Sequence, residues 1–233
     1  MKALFKKEVG QLLNSPIGYV APIIFALFLG YMYVKDVFVI GSASLKAFFG
    51  LAPWLLFIYL PALAMRSISE EKRTNTMEVV LTLPLSERSI VAGKLLALTA
   101  ITAISWFLTF SIPTVLGTLA GISVTETVIG YFGILLLSIM YLSFSLYVSS
   151  RIANQIVSFL VSAIILFFIT TLSSDFLANV LPKTAQDLLL MVSPTLHVDN
   201  FSKGVIDFRS LSYFIGLIYL FFELTVAELK KRT

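Results

Sequence analysis

The chain has 233 residues, of which 58% are hydrophobic and 13% charged, with a net charge of +4. A soluble domain carries about 25% charged residues, so the composition excludes a soluble globular protein and leaves an integral membrane one. The absence of cysteine excludes a disulfide framework and thiolate metal chemistry. Each span needs about 20 apolar residues. Six spans would therefore use about half of the chain and leave no room for a separate soluble domain, so residues 1–233 read as a single all-α transmembrane domain.

Residues 2–14, KALFKKEVGQLLN, are too short and too charged to span. Phe5, Val9, Leu12 and Leu13 share one helical face, with Lys2, Lys6, Lys7 and Gln11 elsewhere. This pattern predicts a helix over residues 1–15 lying in the membrane interface. The competing reading is the charged start of a signal peptide, with Ser42-Ala43-Ser44 as a weak cleavage site. It is disfavoured, because the apolar run that follows is as long as a span.

Ser15 as cap and Pro16 as first helical residue predict a span from 16 to about 34, with Pro22 inside it and Tyr31 and Tyr33 at an interface. Lys35, Asp36 and Lys46 then belong to an outer loop. The second span covers about 48–65 and contains Pro53, Trp54 and Pro61.

Residues 66–94 form the longest strongly polar stretch. Asn75, or alternatively Thr76, is placed to cap a short helix, and Glu78 lies three residues after Asn75 as in a capping box. Met77, Val80 and Leu81 follow at helical spacing, and Pro84 ends the segment. Ser86 caps the next helix. The stretch reads either as a solvated loop or as a docking surface for a soluble partner. Glu70, Glu71, Arg73 and Glu78 lie beyond the membrane, so substituting them is expected to leave the packing of the spans unchanged.

The third span lies within 95–119, broken near Pro113, and ends in Gly117-Thr118-Leu119-Ala120-Gly121. That run is either a GxxxG packing face or a pair of turn glycines. The fourth span covers about 128–148, the fifth about 155–172 and the sixth about 211–226. Between the last two, residues 173–209 predict two short amphipathic helices. One holds Phe176, Leu177, Val180 and Leu181. The other holds Ala185, Leu188, Leu189 and Val192 behind a Thr184 and Asp187 cap pair. These either dip into the outer membrane face as re-entrant helices or rest on it.

With the N-terminus in the cytoplasm, the inner segments hold twelve basic residues and the outer segments five, which accounts for all 17. The positive-inside rule then places both termini and residues 66–94 in the cytoplasm.

There is no GxxxxGK[ST] phosphate loop, no HExxH and no GxSxG, so an intramembrane enzyme is disfavoured. His197, Asp199 and Asp207 could share an outer-face metal, but capping and packing are the plainer roles. Glu223 is the one clear acid within a span. It is expected to reach the interface or to meet a cation of a neighbouring chain.

The chain resembles permease subunits of the type-two ABC exporters, of the type V fold, and most closely the gliding-motility permease branch. The resemblance covers the whole length. It rests on Ser15-Pro16-Ile17-Gly18-Tyr19, Leu51-Ala52-Pro53-Trp54, Met65-Arg66-Ser67 with Glu70-Glu71-Lys72, and Thr76-Met77-Glu78. It continues through Leu81-Thr82-Leu83-Pro84-Leu85-Ser86, Gly93-Lys94, Ser193-Pro194 with His197, Phe201, and Gly204-Val205-Ile206-Asp207. Asn75 stands where the family usually has glycine, and asparagine tolerates similar backbone angles.

The resemblance implies six membrane helices with an N-terminal elbow helix, and a dimer made with a second permease copy or a paralogous permease. It implies a cytoplasmic coupling helix over residues 74–85 in a cleft of a separate ABC ATPase. Glu70, Glu71, Arg73, Asn75, Thr76, Met77, Glu78, Val80, Leu81 and Pro84 would form that coupling surface. The two outer helices would cap the pathway. ATP and Mg would be held by the ATPase, and this chain would bind no cofactor of its own and perform no catalysis. Membrane lipid and an auxiliary outer-face subunit are the other implied partners; nucleic acid is not. The expected location is the cytoplasmic (inner) membrane. The alternative is a non-transporting scaffold, or a mechanotransmission subunit of a surface machine driven by an ABC ATPase.

Overall fold

Polar side chains set where several helices start. Ser44, Ser86, Ser193 and Asp207 each accept a hydrogen bond from a backbone N–H two or three residues on, which satisfies one of the donors a helix start leaves open. The computed structural model describes residues 2–40, 44–77, 85–120, 123–171 and 193–231. In chain order the helices are α1 (Lys2–Leu13), α2 (Pro16–Ile40), α3 (Leu45–Ala64), α4 (Ser69–Arg73) and α5 (Glu87–Leu108). They continue with α6 (Ser111–Ala120), α7 (Val124–Arg151), α8 (Gln155–Thr171), α9 (Pro194–Ser202) and α10 (Phe208–Lys230). There is no strand among the described residues.

Among the described residues, five helical stretches are long and apolar enough to cross a membrane: Pro16–Val39, Leu45–Arg73, Glu87–Val115, Val124–Arg151 and Phe208–Lys230. Gln155–Thr171 is a shorter apolar helix. The chain is therefore a multi-pass, all-helical membrane protein. Several helices outrun the apolar runs that predict them. Lys35 and Asp36 lie in the last turns of α2 rather than in a loop, and α10 begins at Phe208 and runs to Lys230. Hydropathy marks the part of a helix that needs lipid; it is blind to polar turns that continue beyond it.

The third apolar run breaks at Thr109, before Pro113. Thr109 donates its hydroxyl to the Trp106 carbonyl at 2.7 Å, closing α5. Pro113 then sits in the first turn of α6, where its missing N–H costs nothing.

Helix α7 is the centre of the bundle and packs against α3, α5, α8, α9 and α10. Its Gly133 lets α9 approach closely: a Cβ there would stand 2.4 Å from Phe201 Cβ. Three of its serines, Ser138, Ser143 and Ser145, return their hydroxyls to the carbonyls of Ile134, Ile139 and Tyr141, one turn back. An aromatic cluster fills the space between α2, α3, α5 and α7. Phe25 stacks on Tyr59 with centroids 4.6 Å apart and meets Trp106 edge-on, and Tyr131 closes on Phe48, Phe49 and Trp106. Edge-to-face and offset pairs add about 0.5–1.5 kcal/mol each beyond burial, a use for three of the 20 phenylalanines.

At the chain's start a second face of α1 packs on the protein beside the apolar one read for the membrane interface. Leu4 and Glu8 turn towards the protein, whereas Phe5 and Val9 are half-buried and Leu13 is exposed. The two helices predicted over 176–192 lie outside the described residues. The sequence reading missed α9, whose start is signalled by the Ser193-Pro194 cap pair.

Candidate functional site

The polar end of the bundle is built where α3 stops. Residues 65–68 turn, and α4 follows. This corner is sewn to α7 by Ser149, whose Oγ accepts from the N–H groups of Ser69 at 3.0 Å and Ile68 at 3.3 Å. The Ser69 hydroxyl in turn lies 2.9 Å from Ser149 Oγ. Backbone donors left open at the start of α4 are thereby satisfied by a neighbouring helix rather than by a cap.

Helix α4 ends when the Thr74 N–H and hydroxyl both donate to the Glu70 carbonyl. Asn75 follows with φ +56°, the one non-glycine residue with positive φ among the described residues. An N-cap takes extended angles, so Asn75 does not cap the next helix; it closes α4 in the left-handed region that glycine usually fills. The Thr76 hydroxyl meets Thr74 Oγ1 at 2.9 Å and the Glu71 carbonyl at 3.4 Å. Glu78, Val80, Leu81 and Pro84 lie outside the described residues.

Arg73, Thr74, Asn75 and Thr76 are exposed and Glu70 is half-buried. Met77 is only 4% exposed and belongs to the core of this chain. Glu71 corrects the expectation that these charges stand apart from packing. Its Oε1 lies 2.7 Å from Lys94 Nζ. Lys94 is 1% exposed and also reaches Glu8 at 3.1 Å and the Ser67 carbonyl at 2.8 Å. One ammonium on α5 thus gathers α1, the α3–α4 corner and α4. Beside it, Gly93 lies against Leu4 of α1: a Cβ there would come within 2.9 Å of Leu4 Cδ2.

Glu8 was missed as a site residue because it reads as part of a solvated charged face; the Gly93-Lys94 pair was the available signal. A polar cavity of about 500 Å³ opens beside this cluster, with Gln11, Asn14, Arg66 and Glu70 on its walls.

Two further ion pairs hold α10. Arg88 of α5 meets Glu223 at 3.1 Å, and Arg151 of α7 meets Glu228 at 2.7 Å. Glu223 thus has a cationic partner, Arg88, within its own chain.

No group of acids and histidine able to hold a metal occurs among the described residues. His197 stacks on Tyr213 and bonds Ser210 through Nδ1 at 2.9 Å. Asp207 caps α10. Asp199 bridges Lys46 at 3.3 Å and Lys203 at 2.6 Å. Burial pulls the Asp199 carboxyl up, but hydrogen bonds and charge from Lys203 and Lys46 outweigh it and hold it below the usual carboxylate range. A depressed carboxyl contributes stability that is complete above the ordinary aspartate value of about 3.9 and is lost as pH falls through the folded value. The tie between α3 and α9 is therefore expected to be constant near neutrality and to fail only in acid. Thermal unfolding followed from pH 7 downward should show an acid loss that Asp199→Asn reduces.

The sequence matches the family described as ABC-2 family transporter protein over residues 2–208. No curated protein matches the chain. The family match runs from α1 to the first residue of α10. It takes in the Ser149-sewn corner, the Lys94 cluster and every apolar helix except the body of α10. This multi-pass helical bundle, which has no phosphate loop of its own, belongs to the ABC-2 transporter family as a membrane component that works with an ABC ATPase.

Proposed function

We propose that the chain is the permease subunit of an ATP-driven ABC exporter and lines the pathway as a dimer with a second permease. The observation that carries this reading is the polarity of α4 and the turn after it. Lys72 and Met77 are buried in the body, and Ser149 fixes the corner. Arg73, Thr74, Asn75 and Thr76 are left exposed at the end of an apolar bundle, on a held backbone. Residues 74–85 would seat in a cleft of the ATPase, which would hold ATP and Mg.

Helix α8 supplies the sixth span. Its 17 residues reach about 26 Å at 1.5 Å per residue, within the roughly 17–25 residues a span uses. Six spans put both termini on the ATPase side, and the twelve-to-five basic asymmetry makes that side the cytoplasmic face of the inner membrane. Helix α1 is the elbow, with Phe5, Val9 and Leu13 turned to lipid. Residues 173–209 would cap the outer end, as the sequence resemblance implies. The outward direction and the gliding-motility setting rest on sequence resemblance alone.

The test is co-purification from native membranes. Wild type is expected to retain an ABC ATPase. Glu70→Lys and Arg73→Glu should express and dimerise normally yet hold the ATPase at least tenfold more weakly, a loss of about 1.4 kcal/mol. Retention equal to wild type in both variants refutes the docking surface.

A further inference from the structure

We propose that Lys94 is a positioning residue that makes α1 and α4 move as one body, so that a displacement of α4 is delivered to α1. This rests on the permease reading only for what displaces α4. The geometry is independent of it. An ammonium has three protons, and all three are accounted for: Glu8 Oε1 on α1, Glu71 Oε1 on α4 and the Ser67 carbonyl at the corner. Lys94 is 1% exposed, so water does not screen these contacts as it would at a surface. Leu4 lies flush on Gly93 in the neighbouring position, which fixes the spacing of α1 and α5 at the ion.

A surface pair could not do this. Arg88 and Arg151 are more than half exposed, and such side chains swing without dragging a backbone. Two carboxylates share the single Lys94 ammonium, so each arm can be cut while the other keeps the charge paired. Glu8→Leu cuts the α1 arm and leaves Lys94 bonded to Glu71 and Ser67. Glu8→Gln keeps an acceptor at the same place.

The chain has no cysteine, so spin labels can be set at Lys7→Cys and Arg73→Cys, both exposed positions, in the full-length purified protein. The expected result is one narrow inter-label distance in the otherwise wild-type chain and in Glu8→Gln, and a clearly broadened one in Glu8→Leu. Unlabelled Glu8→Leu should retain the co-purifying ATPase as wild type does, while stimulation of its turnover falls about tenfold; Glu8→Gln should restore most of it. An unchanged distance distribution in Glu8→Leu overturns the proposal, and so does full stimulation with a broadened distribution. If wild type holds no ATPase, the permease reading fails, and the label distance alone still decides whether Lys94 ties α1 to α4.

Discussion

Lys94→Ala is expected to destabilise the protein by about 3–5 kcal/mol, because it strands Glu8 and Glu71 as buried carboxylates without a counter-charge. Their side chains are 8% and 15% exposed, so hydration from the adjoining cavity replaces the lost ammonium only in part. At roughly 2–4 °C per kcal/mol for a chain of this size, the midpoint of thermal unfolding in detergent should fall by roughly 6–20 °C. Arg88→Ala is the control. It removes an ion pair whose cation is 62% exposed, and such pairs contribute only about 0–1 kcal/mol. Equal shifts in the two variants would show that Lys94 is not a buried hub. Replacing the whole cluster, as in Glu8→Met with Glu71→Met and Lys94→Met, should recover most of the stability, since buried ion groups often exchange for apolar ones without net cost.

Gly18→Ala is expected to be at least as damaging, through backbone rather than charge. A Cβ at position 18 would stand 1.8 Å from the Leu12 carbonyl oxygen and 2.4 Å from its carbon. Both are backbone atoms, so no rotamer change relieves the overlap. The Ser15 hydroxyl already donates to that same carbonyl at 2.7 Å, which pins the corner between α1 and α2 from its other side. The variant must open the corner and lift α1 off α5, taking Glu8 away from Lys94. Its cost belongs with the exceptional single substitutions, above about 4 kcal/mol. Gly10→Ala on α1 is the contrast. Nothing lies within 4 Å of its Cβ, and alanine favours a helix interior over glycine by about 0.5–1 kcal/mol. Limited proteolysis of residues 2–15 separates the two: faster cutting in Gly18→Ala, unchanged or slower cutting in Gly10→Ala. Equal protection in both variants would mean the corner tolerates a side chain.

The apolar runs made the spanning helices legible, because a stretch of lipid-facing residues has no other stable use. Caps were legible where one side chain does one local job, as at Ser86. Ser15 shows where this fails. It was read as a cap for α2, yet its hydroxyl turns back to α1, and local sequence cannot choose between two helices that both need it. The polar stretch was visible as a candidate surface, but its division was not. Glu70 and Glu71 are adjacent in sequence and similar in chemistry, and only the approach of Lys94 makes one of them part of the interior. Asn75 was recognised as a glycine substitute, whereas its role in closing α4 depended on a backbone angle that sequence does not display.

The serines of α7 bear on how the bundle can deform. The hydroxyls at 138, 143 and 145 donate within their own helix, but Ser138 Oγ also accepts from Trp106 Nε1 of α5 at 3.1 Å, and the Tyr141 hydroxyl meets Thr170 Oγ1 of α8 at 2.8 Å. Ser149 differs, since its oxygen binds the corner after α3. The ties along α7 therefore go to different partners, α5 and α8 along its body and the corner after α3 at its end. Sliding α3 along α7 would break the bonds at Ser149, whereas sliding α5 or α8 would break those at Ser138 and Tyr141, so α7 acts as a spine to which its neighbours are pinned at different heights.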